Sequence, residues 1–475
     1  MAIFSKDRRT ILLRRIRGFW EEYRRNKIGI AGLSLLAFFI FISLLGPTIA
    51  PYPSTRPPMV ASDFAMPEWM ALLPEYADLP RTLDVSVLDT QLVQNSSFIE
   101  ISRADNIVIV YAGNTLGDIG TVQLSADFSY SYKPPDDFKV SFQYVIENVS
   151  NAICKFKLTI TDTNGTEYEL LTGSSILNIK YGVASTTSAS ASLRMKLFGD
   201  IQPNPAKVIF ASKGNYTMKL TFTFQPLSGD AKGVFYLNSG ALTIYGKLHG
   251  VLGSDAYGHD VYSQILYGAY TSMLVGVLTA VLTTGLSVLI GTIAGYVGGL
   301  VDEVIMRVVD VILCIPLFVI LLILTKNFRL TVIFVVIVIS FFWWPGPART
   351  IRSKILALKE SKFVEGARAA GGSKFYIVRR HLLPNILPLI MASLILFVPG
   401  GILMEAALSF LGFGDPTAIT WGRMLSDARQ TGAFASLAWW YVIPPGIAIS
   451  LLCLSFVFIG HALDTVVNPR LRRRK

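Results

Sequence analysis

The sequence predicts a polytopic α-helical membrane protein with six transmembrane helices and an inserted all-β, sandwich-like extracellular domain. Three observations carry this reading. Of the 475 residues, 52% are hydrophobic and only 16% are charged, with a mean hydropathy of +0.49, whereas soluble domains carry about 25% charged residues. The charge is also unevenly divided. Residues 51–248 hold 15 Lys/Arg against 18 Asp/Glu, a net of −3, and the remainder holds 28 against 14, a net of +14. Finally, the remainder reads as long uncharged apolar runs, while 51–248 reads as short alternating ones. A water-soluble piece is therefore set inside an apolar, basic chain. That excludes a plain cytosolic enzyme, and the apolar content excludes a disordered chain.

Residues 28–50 are almost wholly apolar and uncharged, long enough to cross ~30 Å of hydrocarbon at ~1.5 Å per residue. The basic N-terminus makes a signal peptide the competing reading. The run is too long for an h-region, and no clear small-x-small cleavage site precedes the proline-rich 47–58 stretch, so it reads as a retained helix. Four further spans follow at 270–297, 304–325, 330–344 and 387–404. The sixth, 440–463, is interrupted by Pro444 and Pro445 near its outer end. Membrane helices tolerate prolines because neighbouring groups satisfy the freed carbonyls.

Lys and Arg set the orientation. Residues 1–27 hold nine of them, 349–383 another nine and the tail after Asp464 five, together 23 of the 28 outside the insert. Six spans place all three segments on one side, the cytoplasm. The 298–303 turn carries no basic residue and is neutral in the argument. The domain plan is thus a basic cytoplasmic segment 1–27, a first transmembrane helix 28–50 and an extracellular insert 51–248. A five-helix core 249–464 with the cytoplasmic loop 349–383 and a basic cytoplasmic tail 465–475 complete it. The 405–439 loop lies outside. The net charge of +11 reads as topology and not as nucleic-acid binding.

Within the insert, runs at 97–102, 106–111, 121–132, 138–147, 155–161, 207–210, 216–224 and 240–245 are rich in Val, Ile, Thr, Tyr and Phe. Turn signals such as Pro134-Pro135-Asp136-Asp137 and Asn164-Gly165 bound them. This spacing suggests an antiparallel sandwich. Four Asn-x-Ser/Thr sequons, at Asn95, Asn148, Asn164 and Asn215, all fall in the insert. Glycosylation fits an outside location, and chance in a Ser- and Thr-rich β domain explains them equally. Cys154 is alone in the insert, with Cys314 and Cys453 in spans, so no intrachain disulfide framework is expected.

The sequence holds no G-x-x-x-x-G-K-[ST] phosphate loop and no C-x-x-C, H-E-x-x-H or G-x-S-x-G motif. Its four histidines, His249, His259, His381 and His461, are dispersed. No nucleophile–base constellation, metal set or cofactor is indicated, which disfavours an enzyme.

The motif with most mechanical content is Glu365-Gly366-Ala367-Arg368-Ala369-Ala370-Gly371 in the basic loop, flanked by Phe363 and Phe375-Tyr376 and followed by Leu383-Pro384-Asn385. It reads as a short helix of small residues. Such a helix lets a partner backbone approach closely, and aromatic anchors with a charged rim suit docking. A small-residue turn at the membrane surface is the plainer alternative.

Here the sequence resembles a known family. E-A-A-x-x-x-G followed by L-P marks the membrane subunits of prokaryotic ABC importers, with Gly366 here in place of the middle Ala. Arg380-His381-Leu382-Leu383-Pro384-Asn385 is similar to R-H-I-L-P-N of the dipeptide/oligopeptide/nickel branch. Asp255, Gly258, His259, Asp260 and Val261 resemble that branch's D-x-x-G-R-D-V, with His259 replacing Arg. Gly295, Gly298, Gly299, Asp302, Glu303, Met306, Arg307 and Asp310 resemble its next hairpin. Glu405-Ala406-Ala407-Leu408-Ser409 with Gly412, Gly414, Trp421 and Gly422, and the closing Asn468-Pro469-Arg470, follow in order. The resemblance spans 28–50 and 248–470, points to the second, C-type permease of a pair, and leaves the insert unexplained.

The resemblance implies a type I ABC importer fold and a permease subunit that forms half of a pathway for short peptides, with oligosaccharides or nickel complexes as alternative cargo. It implies a homologous permease as heterodimer partner, two ATP-binding subunits, an extracellular substrate-binding protein and the lipid bilayer as surroundings. The helix over 363–373, with Phe363, Glu365, Gly366, Ala367, Ala370 and Gly371, corresponds to the coupling helix that sits in the ATPase groove. A reading of another class is a membrane-anchored β-sandwich receptor or adhesion module, which has no need of the Glu365–Gly371 motif. The insert is expected to contact the binding protein or shield the pathway mouth.

Three polar features carry paired readings. Arg307 and Asp310 either contact substrate or neutralise each other as an i, i+3 pair. Asp255 and Asp260 either bind a cation or cap the following helix. Glu405 either faces the pathway or marks the outer boundary of a span.

Overall fold

Alternating and helical periodicities divide the chain into two compact units, Pro57–Val261 and the combination of Met1–Arg56 with Tyr262–Lys475. The computed structural model describes residues 20–54, 57–103, 106–175, 181–328 and 331–467. Most of the basic N-terminal segment and the closing Asn468-Pro469-Arg470 therefore lie outside the described residues.

The Pro57–Val261 unit contains two antiparallel sheets. The larger runs β3 (Ile99–Arg103), β4 (Ile107–Gly113), β11 (Ala231–Tyr245), β6 (Asp137–Ser150) and β9 (Tyr181–Thr187), with β1 (Leu83–Ser86) also pairing β11. The smaller runs β2 (Gln91–Asn95), β5 (Gly120–Tyr130), β10 (Gly214–Pro226), β7 (Ala152–Thr161) and β8 (Glu167–Ser175). Period-two burial explains the strands. On β10, Tyr216, Met218, Leu220, Phe222 and Phe224 are buried and the intervening residues are not. These faces join one hydrophobic cluster. Ring pairs Phe222–Phe235 at 4.7 Å, Phe142–Phe156 at 5.1 Å and Tyr111–Phe224 at 5.3 Å each link one sheet to the other. The Asn164-Gly165 signal forms the β7–β8 turn, where Asp162 Oδ1 accepts from the Asn164 and Thr166 amides and Gly165 takes φ +83°.

The expected strand at 207–210 is instead the short helix α3 (Pro205–Ile209), which follows α2 (Ala191–Phe198). Asn204 caps it by accepting from the Ala206 amide at 2.9 Å, and Pro205 presets its first turn. The apolar run Val208-Ile209-Phe210 then buries Ile209 and Phe210 from a helix rather than a strand.

Residues 249–261, assigned from sequence to the helical core, pack within this unit. Gly258 O accepts from the Val60 and Ala61 amides. Ser254 Oγ donates to Ser62 O at 2.7 Å and accepts from the Ala65 amide. At Gly258 (φ +74°) a Cβ would stand 2.2 Å from Ala61 O, so both backbone conformation and close approach require glycine.

Cys154 on β7 is buried in the cluster, which pushes its thiol from the ordinary 9.0 up to about 12. A raised thiol pKa keeps the neutral, unreactive form at neutral pH. Iodoacetamide at pH 8 is expected to leave Cys154 unmodified in the folded chain and to label it once the chain is denatured. Native-state labelling at the rate of a free thiol would show that β7 is not enclosed.

In the other unit, four stretches are long and apolar enough to cross a membrane: Lys27–Ile49, Val261–Val297, Lys374–Phe410 and Trp439–Thr465. Two bent pairs raise the number to six if each is one span. We label the helices α1 (Lys27–Ile49), α4 (Val261–Val297), α5 (Gly299–Cys314), α6 (Leu317–Asn327), α7 (Val332–Trp343), α8 (Pro345–Lys359), α9 (Lys362–Ala369), α10 (Lys374–Ile377), α11 (Leu383–Phe410), α12 (Trp421–Gln430) and α13 (Trp439–Val467).

The run expected as one span at 304–325 is bent by 71° between α5 and α6. Pro316 causes the break: it drives Ile315 into extended backbone (φ −82°, ψ 123°) and ends the first helix. A 43° bend separates α7 from α8, which begins at Pro345. The 349–383 stretch expected as a loop is thus largely helical. Conversely, α13 runs through Pro444 and Pro445 without the expected interruption.

Close approach at glycine sets the packing. A Cβ at Gly29 or Gly32 of α1 would lie 2.6 Å from Ala462 Cβ or 2.7 Å from Phe458 Cβ of α13. Small residues at such crossings let membrane helices pack backbone to backbone.

Candidate functional site

The expected docking element is built on a buried platform. Ile351 and Ile355 of α8, Val364 of α9, Ile377 of α10, and Leu382 and Ile386 leading into α11 form one cluster. Val364 is fully buried, whereas Glu365, Gly366, Arg368, Ala369 and Ala370 are exposed and Ala367 is half-buried. One face of α9 is therefore anchored and the other is presented. Around Gly366 nothing lies within 4 Å of where a Cβ would stand, so that face is open.

The helix ends at Ala369, short of the expected 373. Gly371 adopts φ +80° and its amide donates to Arg368 O, while the Gly372 amide donates to Ala367 O at 2.9 Å. This left-handed C-terminal closure satisfies the last carbonyls and favours glycine. Ser373 then caps α10 by accepting from the Tyr376 amide at 3.2 Å.

His381 lies between two aromatic rings, 6.3 Å from Phe363 and 5.7 Å from Tyr376. It belongs to a π-helical turn, Val378–Leu382, immediately ahead of Pro384. Pro384 has no amide hydrogen to continue the ladder, and the Asn385 side-chain amide donates to His381 O at 2.6 Å. Phe363, His381, Pro384 and Asn385, separated in sequence, thus contribute to one corner. Phe363 is 44% exposed and Phe375 73% exposed.

Two charged pairs tie the α8 support to α5. Arg352 donates from Nε and Nη2 to the two oxygens of Asp302, each at 2.5 Å, a bidentate fork. Arg349 pairs with Asp310. The expected mutual neutralisation of Arg307 and Asp310 is replaced by this contact, since the bend after α5 and the start of α8 bring Arg349 to the carboxylate. Arg307 stands on α5 without a role in that pair. Neither Val364 nor the Arg352–Asp302 pair was singled out from sequence. The short apolar spacing of Val364 and Ala367 on a polar helix was the available signal for the first, and no local signal exists for the second.

Glu405 lies on α11 and is 4% exposed. Its Oε1 accepts from Ser409 at 2.6 Å and from Thr420 at 2.9 Å. Thr420 in turn caps α12 by accepting from the Arg423 amide at 3.1 Å. Glu405 therefore ties a long apolar helix to the first turn of a short one. Beside it, fully buried Trp421 stacks edge-on against Phe39 of α1 at 5.9 Å and donates to Ile265 O of α4 at 3.1 Å.

In the Pro57–Val261 unit, Asp255 lies in the loop ahead of α4. It closes its own turn, accepting from the Tyr257 amide at 2.8 Å and the His259 amide at 2.9 Å, with His259 Nδ1 3.2 Å from its other oxygen. Asp260 stands 3.5 Å from His249 Nε2. Among the described residues no three His, Cys, Asp or Glu side chains converge to hold a metal ion. Asn164 and Asn215 are exposed. The side chains of Asn95 and Asn148 lie outside the described residues.

Comparison with known proteins follows this geometry. Residues 287–473, which include α9, the π-helical turn and Glu405, match the family described as the inner membrane component of binding-protein-dependent transport systems. Residues 15–67 match the N-terminal transmembrane domain of oligopeptide transport permease C. The dipeptide transport system permease protein DppC of Bacillus subtilis (strain 168) is 36% identical over 224 residues, covering 46% of this chain and 69% of that protein. The chain belongs to this family of transport-system inner membrane components.

A relative of this membrane component in Brucella suis biovar 1 (strain 1330), named for a peptide transport system permease, is 34% identical over 226 residues. That match covers 47% of this chain and 75% of the relative. Among solved structures, the inward-facing MetNI methionine ABC transporter is similar at 16% identity and a TM-score of 0.34, over 42% of this chain and 96% of that one. As an ABC permease, a multi-pass membrane protein, this component works with ATP-binding subunits and a binding protein. Neither family match reaches residues 68–286.

Proposed function

We propose that this chain is the C-type permease subunit of an ATP-driven importer of short peptides. It pairs with a homologous permease to enclose the pathway, and two ATPase subunits dock against α9 and the Phe363–His381 corner. The observation that carries this reading is α9 itself: a helix anchored by Val364, open at Gly366 and flanked by exposed aromatic rings, inside the family's matched region. The bent pairs α5–α6 and α7–α8 each count as one span, making six. Both termini, the far end of α8 and α9–α10 then face the cytoplasm, in keeping with the basic residues. The Pro57–Val261 unit lies outside as a β-sandwich. ATPase closure moves α9 as a rigid lever and alternates access to the two sides.

Peptide cargo rests on the named relatives. The test is ATPase stimulation in the reconstituted complex with binding protein, screened over di- to pentapeptides, oligosaccharides and nickel complexes. Short peptides are expected to stimulate; stimulation by sugars or nickel complexes alone would reassign the cargo.

The insert is proposed to assist the binding protein. Its strands can be excised cleanly, because the Gly246 amide donates to Thr82 Oγ1 at 3.1 Å and brings the flanking ends together. Removing residues 83–245 is expected to lower binding-protein-dependent uptake while leaving membrane insertion intact. Unchanged uptake would leave the insert a structural part only.

A further inference from the structure

A groove of about 720 Å³ runs between α4 and the α10–α11 stretch, and the coupling role of α9 makes no use of it. That volume lies in the range of small-molecule sites, roughly 300–1,000 Å³. Its walls are apolar, with Leu289 and Ile293 on α4 facing Ile390 and Leu394 on α11. Lys374 is the one charged residue among those lining it. The helices run antiparallel: Gly276 of α4 meets Ile402 and Val398 of α11, while Tyr296 joins the cluster around Ile377 and Leu382. Lys374 therefore stands at the end of the groove near Val297, and exposed Arg379 and Arg380 follow it within the π-helical turn.

The fitting occupant is long and apolar, with negative charge at one end to meet Lys374. An anionic phospholipid has this plan. A covering protein helix has apolar length but no reason to meet a single cation at one end of an otherwise uncharged wall.

We infer that this groove holds an acyl chain of an anionic phospholipid from the leaflet on the Lys374 side, its phosphate on Lys374. The inference rests on α4 and α11 crossing the membrane and not on α9 engaging the ATPase.

The full complex is reconstituted in vesicles of equimolar phosphatidylglycerol and phosphatidylcholine, re-extracted, and its retained lipids are quantified by native mass spectrometry. Phosphatidylglycerol is expected to be retained preferentially. Exposed Lys374→Gln should reduce that retention about fivefold, the effect of one basic residue near an anionic surface at ~1 kcal/mol. Ile293→Trp, which fills the groove, should remove the retained phosphatidylglycerol altogether. A photoreactive acyl chain on phosphatidylglycerol should label peptides containing Leu289 and Ile390. Equal retention of both lipids, or no effect of Lys374→Gln, would overturn the assignment. So would cross-links joining a photoreactive residue at position 289 to a second polypeptide, because a protein helix would then occupy the groove. Loss of ATPase binding by α9 variants with lipid retention unchanged separates this site from the coupling reading.

Discussion

Glu365→Trp combined with Gly371→Val is expected to abolish uptake and ATPase recruitment while the chain still inserts in the membrane. The two substitutions attack the docking element in different ways. Glu365 lies on the exposed face of α9, so an indole there obstructs a closely approaching partner. Gly371 holds φ +80°, where an L side chain costs about 1–2 kcal/mol. Valine there opposes the turn that brings the Gly372 amide to Ala367 O. Residues central to a docking surface commonly contribute at least ~2 kcal/mol of binding, so ATPase affinity should fall by more than tenfold even where assembly persists. Co-purification of the ATPase subunits and uptake by reconstituted vesicles measure the effect, with protease accessibility reporting insertion. Normal transport by the double variant would remove the coupling assignment.

The second large effect concerns stability. Trp421→Ala should cost ~3–5 kcal/mol, as expected for deleting a buried large aromatic side chain. Trp421 is fully buried, touches α1 through Phe39 and donates to the Ile265 carbonyl of α4. Gly268 on α4 makes room for it, since a Cβ there would lie 2.6 Å from the Trp421 ring. Gly268→Val should therefore destabilise as well, and the two effects should not add, because alanine at 421 relieves the clash. Thermal unfolding of the detergent-solubilised protein gives all four corners of this cycle. Simple additivity would show that the two positions are not coupled through the ring.

Particular residues show where sequence reading succeeds and fails. Asn204-Pro205 is a local helix-start signal, yet the adjoining Val208-Ile209-Phe210 run taken by itself reads as a strand. Short apolar runs carry no period of their own, so capping had to decide. Pro316 was equally visible, but a proline marks where a helix can break and does not say that the following turn leaves at 71°. The Glu365–Gly371 motif was legible because small and left-handed-tolerant residues are local requirements of a tight, open helix end. Its support was not legible. Val364, Ile377 and Leu382 look like ordinary apolar residues until four segments converge on them.

By composition and periodicity alone, this sequence determined a basic apolar body with a near-neutral β insert, the approximate spans, and the small-residue helix in the basic stretch. Those properties follow from solvent preference and backbone period, which each segment expresses independently of its neighbours. Tertiary structure alone decided which partners the charges meet. Asp310 takes Arg349 rather than Arg307, and Asp302 takes Arg352. It also decided that Glu405 is buried against Ser409 and Thr420, and that α4 and the α10–α11 stretch leave a groove ending at Lys374. Contacts between residues distant in sequence depend on bend angles and on glycine-mediated helix approach, and no local pattern encodes either.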